Sequence, residues 1–196
     1  MCDEHRISVP LNDDAVLALN AGDRVLLSGV ILGARDAAHA RLVDTLDRGE
    51  RLPVDVQGQV IYYVGPAPAK AGFPIGSAGP TTSGRMDRYA PRLYAAGVKA
   101  TIGKGYRSPE VRAAIAEHNA LYLAAVGGTG ALLSRRIVRA DIVAYPELGP
   151  EALYALEVVD FPTVVVNDAR GADLYEDARR AYRLSTSSDR SGRDRE

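Results

Sequence analysis

Apolar residues in this chain fall in short blocks that alternate between strand-like runs and helical spacing. RVLLSGVILG (24–33) is rich in β-branched and aliphatic residues and ends in glycine, which predicts a strand. The following ARDAAHARLVDTLDRGE places Ala37, Ala40, Val43 and Leu46 three residues apart, the spacing of one helix face, with Gly49 as the stop. QVIYYVG (59–65) predicts a second strand, and PAPAKAGFPIGSAGP (66–80) a long loop of the kind that is usually functional or mobile. RMDRYAPRLYAAG (85–97) reads as a helix whose start is blurred by Pro91. VKATIG (98–103) is a strand. SPEVRAAIAEHN (108–119) is the clearest helix: Ser108 suits the cap, Pro109 the first turn, and Glu110 the positive end of the dipole.

LYLAAVGG (121–128) reads as another strand. IVRADIVAYPEL, ALYALEVVDF and PTVVVNDARG then read as short strands joined by turns. The polar end STSSDRSGRDRE (185–196) reads as a disordered tail. Helices interleave with strands early and strands dominate late. The expectation is one α/β domain over 1–184 with a mixed sheet.

Composition narrows the function classes. Of the 196 residues, 46% are apolar and 25% charged, which suits a globular domain with a substantial core. The net charge of −1 gives no global pull toward nucleic acid or anionic membrane. No apolar run is long enough to span a bilayer. MCDEHRISVP carries acidic residues and no apolar core segment, so it does not read as a signal peptide, and the expected compartment is the cytoplasm. Cys2 is the single cysteine, which excludes a disulfide framework and a cysteine-ligated metal site within this chain.

Three polar turns carry the chemistry. GPTTSGRMD (79–87) joins hydroxyls and glycines to Arg85 ahead of a helix. Such a turn suits an anion, and a guanidinium fork matches a carboxylate or phosphate. A threonine cap followed by a surface arginine is the plainer reading. TIGKGYRSPE (101–110) fails as a phosphate loop: Gly97 and Gly103 stand one residue too far apart, and Gly105 replaces the hydroxyl. It also fails as a dinucleotide loop, because Ser108 takes the third glycine position. What survives is Lys104 in a turn whose glycines let a ligand approach. GARDAAHAR (33–41) puts Arg35 and Asp36 at a strand-to-helix turn, with His39 one helical turn on. If the strand ends lie side by side, Arg35, Arg85 and Lys104 converge into a cluster suited to a small dicarboxylate. His5 and His118, without partners at ligand spacing, read as surface residues, and the scattered tyrosines as core.

GPTTSGRMDRYAPRLYAAGVKATIGKG and GARDAAHAR closely resemble the signatures of the class I fumarase and L(+)-tartrate dehydratase family, in the part equivalent to the β subunit. The resemblance covers roughly residues 5 to 185. It implies a swivelling β/β/α domain that works against a partner α subunit. That partner holds a four-iron four-sulfur cluster on three cysteines, in an assembly of two α and two β chains. It implies that Arg35 and Arg85 clamp substrate carboxylates, and that Thr82, Ser83 and Gly84 offer further donors. Lys104 then holds a carboxylate or stabilises the aci-carboxylate formed on deprotonation, Thr81 is the candidate base, and Asp36 and His39 are supporting residues. The implied reaction is reversible hydration of fumarate to (S)-malate. L(+)-tartrate and mesaconate are rival substrates, and a non-catalytic metabolite-binding module is the rival class.

Overall fold

The computed structural model describes residues 4–190, with side chains described through 183. Its sheet contains β1 (Glu4–Ser8), β2 (Arg24–Gly33), β3 (Val60–Tyr62), β4 (Ala100–Gly103), β5 (Leu121–Ala124), β6 (Ile137–Ala144) and β7 (Leu153–Asn167). β1 to β5 run parallel to their neighbours in chain order, and β7 runs antiparallel to β5, β6 and β2. The β2–β7 pairing closes β2, β3, β4, β5 and β7 into a ring. The expected α/β class with a mixed sheet is what the chain forms.

β3, β4 and β5 read as continuous apolar runs because both of their faces are covered. Val60, Tyr62, Ile102, Leu121 and Leu123 fill the ring together with Leu27, Ile31 and Phe161. Their alternates Ile61, Tyr63 and Tyr122 face a second core under the helices, with Leu42, Leu93, Val111 and Ile115. Those helices are α2 (Asp36–Asp47), α3 (Ala90–Ala95) and α4 (Pro109–Glu117). Ser108 caps α4 by accepting from the Val111 amide, and Pro109 opens it. α3 begins only at Ala90, with Pro91 in its first turn; the 3-10 turn Ser83–Met86 precedes it.

Four features depart from the sequence reading. α1 (Asp13–Leu17), capped by Asn12, and α5 (Gly130–Ser134) are single short turns too brief for a periodic signal. The expected separate strands around Phe161 and Pro162 are one strand, β7. It survives Pro162, which stands opposite Leu26, because the other side of β7 is unpaired there: pairing with β6 ends at Val158 and pairing with β5 begins at Val164. Two residues earlier Val159 and Asp160 together oppose Ser28, a bulge with Asp160 at φ 49°. Finally, α6 (Leu174–Arg190) runs through 185–190, part of the segment read as a tail, with Glu176 and Asp177 in its first turn. Residues 191–196 and Cys2 lie outside the described residues. No described helix is long and apolar enough to cross a membrane.

Candidate functional site

Because β2, β3 and β4 are parallel, their carboxyl ends share one edge, the end at which parallel strands of both open and closed α/β sheets bind ligands. The three cationic turns all leave from that edge. GARDAAHAR follows β2, and Lys104 follows β4. The long loop after β3 brings GPTTSGRMD back to the same place. Its Thr81–Ser83 stretch wedges between the two strand ends: the Thr81 amide donates to the Tyr63 carbonyl at 2.7 Å, the Lys104 amide to Thr81 at 3.3 Å, and the Ser83 amide to Lys104 at 2.9 Å. Glycine is required at 103 for this wedge. A Cβ there would lie 2.0 Å from Ser83 Oγ and 2.9 Å from the Tyr63 ring.

Arg35 and Arg85 meet on Asp36. Arg85 Nε donates to Asp36 Oδ1 at 2.9 Å and its Nη2 lies 2.8 Å from Oδ2; Arg35 Nε lies 3.4 Å from the same Oδ2. Arg35 Nη2 is paired at 2.9 Å with Glu151, whose other oxygen accepts from the Ala37 amide at the start of α2. The Arg35 side chain lies across Gly65, where a Cβ would sit 2.7 Å from Nη1. Burial opposes the charge on Asp36, but its own backbone amide and the two guanidiniums outweigh that and hold its pKa below the usual value.

Lys104 is exposed, and among the described residues its ammonium has no hydrogen-bond or ion-pair partner. The hydroxyls of Thr81 and Thr82 are likewise uncommitted among the described residues. Gly84 is exposed, and a Cβ there would meet only Asp87 Oδ2 at 4.0 Å. Ser83 differs from its expected role as a donor on the ligand side. Its hydroxyl is fully buried and donates to Tyr122 OH at 3.0 Å, because the wedge turns it inward over Gly103.

His39 is completely buried against the Tyr63 ring, 5.2 Å between centroids. Its Nδ1 lies 2.9 Å from the Arg35 carbonyl. A carbonyl can only accept, so Nδ1 carries the proton. Burial pushes its pKa down to about 4, with the nearby Arg107 charge acting in the same direction, so the ring is neutral at pH 7. His39 supports the turn by holding the backbone of Arg35, not by shuttling protons at the surface.

Two partners were not singled out in the sequence. Glu151 comes from a 3-10 turn before β7, a sequence separation of 114 residues from Ala37, and nothing local marks it. Arg107 stands within TIGKGYRSPE, but its buried position depends on Asp87, Tyr63 and Thr101, which only the fold brings to it.

The edge is an open shelf. A cavity of about 620 Å³, lined by Leu26, Leu133, Pro162, Arg24, Arg135 and Arg136 among others, includes none of the motif residues. No group of three or more His, Cys, Asp or Glu that could hold a metal ion gathers among the described residues. The shelf offers guanidinium forks, an ammonium and hydroxyls, the set that binds a small acid.

The sequence model of the fumarase C-terminus family matches residues 3–178, nearly the whole described fold. The chain belongs to the fumarase C-terminus family. It is 43% identical over 155 residues to the anaerobic class I fumarate hydratase of Escherichia coli K12, and 43% identical over 156 residues to fumarate hydratase 2 of Leishmania major. These matches cover 78% and 79% of this chain but 28% of each relative, so the chain spans little more than a quarter of their length. The putative L(+)-tartrate dehydratase subunit beta of Methanocaldococcus jannaschii is 38% identical over 168 residues, covering 83% of this chain and 86% of that protein. This fumarase C-terminus domain therefore has relatives both as part of a longer chain and as a protein of nearly its own length.

Proposed function

We propose that this chain is the β subunit of a heteromeric hydro-lyase that interconverts a hydroxy-dicarboxylate with its unsaturated diacid and water, with (S)-malate and fumarate as the substrate pair. The observation that carries the proposal is the meeting of Arg35 and Arg85 on Asp36 at the strand edge that also bears Lys104, whose side chain lies beside Gly127, in a family whose members bear the names fumarate hydratase and tartrate dehydratase. Arg35 and Arg85 pair with Asp36 and Glu151, and Lys104 on the same edge is left without an acidic partner among the described residues, a positive charge available to a dianion.

In this reading Arg35 and Arg85 each keep N–H donors beyond those spent on Asp36 and Glu151, and these take the substrate carboxylates. Lys104 faces the carboxylate next to the carbon that loses its proton. Removing that proton drives charge into the carboxylate as the aci form, and a fixed ammonium stabilises it. Thr81 receives the proton. Its hydroxyl bonds to no base among the described residues, and a lone threonine is a weak base, so its activating group belongs to the partner subunit. The C–H electron pair becomes the C=C bond, and the hydroxyl leaves the adjacent carbon as hydroxide, which takes up the proton removed through Thr81 and its activating group and departs as water.

In this reading the iron–sulfur cluster implied for the reaction is carried by the partner α subunit. When bound there it provides an open metal position for the leaving hydroxyl. The open shelf suits this division, since a second surface is needed to exclude water. Substrate and compartment follow the same reading: malate and fumarate in the cytoplasm.

The test is co-expression with an adjacent-gene α subunit carrying three cluster cysteines, anaerobic assembly, and assay on malate, L(+)-tartrate and mesaconate. Turnover of malate by the pair, lost with Arg85→Lys and with Thr81→Val, supports the proposal. Full turnover by this chain alone without iron overturns the half-enzyme reading, and preference for tartrate reassigns the substrate.

A further inference from the structure

Under the shelf lies a buried cation that the proposed chemistry does not use. The Arg107 side chain has no exposed surface. Its Nε donates to Asp87 Oδ1 at 2.8 Å, and its Nη1 donates to Tyr63 OH and to Thr101 Oγ1, each at 3.1 Å. The guanidinium lies 5.3 Å from the Tyr63 ring centroid and 5.0 Å from that of Tyr122. A buried guanidinium carries a large desolvation penalty, which survives selection only where its partners are fixed. Here burial opposes the charge, but the phenolic oxygens and Asp87 outweigh it, so Arg107 stays protonated.

Each of its partners belongs to the scaffold of the proposed site. Asp87 ends the GPTTSGRMD turn, and its second oxygen accepts from the Ser108 amide at 2.8 Å, tying that turn to the segment after Lys104. Tyr63 receives the Thr81 amide on its backbone carbonyl and Arg107 on its hydroxyl. Tyr122 receives the Ser83 hydroxyl and donates to the Gly105 carbonyl at 2.8 Å, on the turn that carries Lys104. The guanidinium is thus stacked between the two tyrosines that anchor Thr81 and Ser83, and it grips the acid two residues beyond Arg85.

We infer that Arg107 is a positioning residue: from beneath the shelf it locks the Thr81–Asp87 turn to the Gly103–Ser108 turn, and so sets where Thr81, Arg85 and Lys104 stand relative to one another. It touches no substrate. This inference rests on the proposed hydro-lyase reading for its catalytic consequence, while the locking itself does not.

The experiment uses the assembled pair with Arg107→Lys, which keeps the charge but cannot serve Asp87, Tyr63 and Thr101 at once. Two readouts are taken: steady-state kinetics on the substrate of the wild-type pair, and hydrogen–deuterium exchange over 79–88 and 103–108. The expected result is a fall in kcat of about tenfold or more with a smaller change in KM, since misplacement of reacting groups costs the chemical step more than binding. Exchange over the two turns should rise while β3 and β5 stay protected. A residue with only a structural role would lower Tm and leave kcat and KM of the folded pair unchanged, and that outcome overturns the inference. Should Arg107→Lys fail to fold, Asp87→Asn removes the same charged link from the other side and is read in the same way. If the wild-type pair turns over none of the dicarboxylates, the hydro-lyase reading fails. Unchanged exchange in both turns in the variant would then separately overturn the lock.

Discussion

Asp36 holds Arg85 with both carboxylate oxygens, at 2.9 and 2.8 Å, across a separation of 49 residues. The acid that starts one helix thereby fixes the fork of an arginine from a different turn. Replacing Asp36 by Asn keeps the size and removes the charge that orients both Arg35 and Arg85. The expected outcome in the assembled pair is a loss of about tenfold in kcat/KM, roughly 1.4 kcal/mol, carried mainly by KM. Steady-state kinetics with the dicarboxylate substrate checks it; unchanged KM would separate Asp36 from substrate binding.

Glu151 does two jobs at the start of α2, pairing Arg35 and accepting from the Ala37 amide. Glu151→Ala removes both and should cost about 1–2 kcal/mol of stability, the scale of a lost helix cap plus a half-buried ion pair. Glu151→Gln keeps an acceptor for the amide and should cost less than half as much. Urea unfolding midpoints of the two variants decide between the roles.

Gly103 has no room for a methyl group, with Ser83 Oγ at 2.0 Å from the position of an added Cβ. Gly103→Ala should destabilise the chain by about 2 kcal/mol through overpacking. Adding Ser83→Ala removes the nearest clash and should recover part of the loss, leaving the Tyr63 contact. The double-mutant cycle measures that coupling.

His39 is neutral in the fold, with a pKa of about 4 against about 6.5 in an unfolded chain. Between these values the unfolded state binds more protons, so stability is full above pH 6.5 and falls as the pH drops toward 4. Between pH 7 and pH 5 the loss should be about 2 kcal/mol. His39→Phe should lower stability at pH 7, because the hydrogen bond to Arg35 is lost, yet flatten most of that slope. Urea titrations of both proteins at the two pH values give the comparison.

Local chemistry announced the outer residues of the site, and fold-level contacts hid the inner ones. Arg35, Arg85 and Lys104 could be found because each stands in a polar, glycine-bearing turn directly after or before an apolar run. The Ser108 cap and Pro109 were legible for the same reason: a cap is written within four residues. The family resemblance implies a donor at Ser83 on the ligand side, and the missing Cβ at Gly103 is what lets its hydroxyl turn inward instead. Glu151 and Arg107 owe their roles to partners many residues away, which no spacing rule reaches. β7 was read as fragments because Pro162 breaks an ideal ladder, whereas in the fold it falls between the stretches paired with β6 and β5, where no partner needs its N–H.

The bond between β2 and β7 has a mechanical meaning. A sheet left open could flex along its free margins and let the three polar turns drift apart. With the circle joined, Arg35, Thr81 and Lys104 are mounted on one hoop, so any movement of that edge carries them together, like teeth on a single jaw.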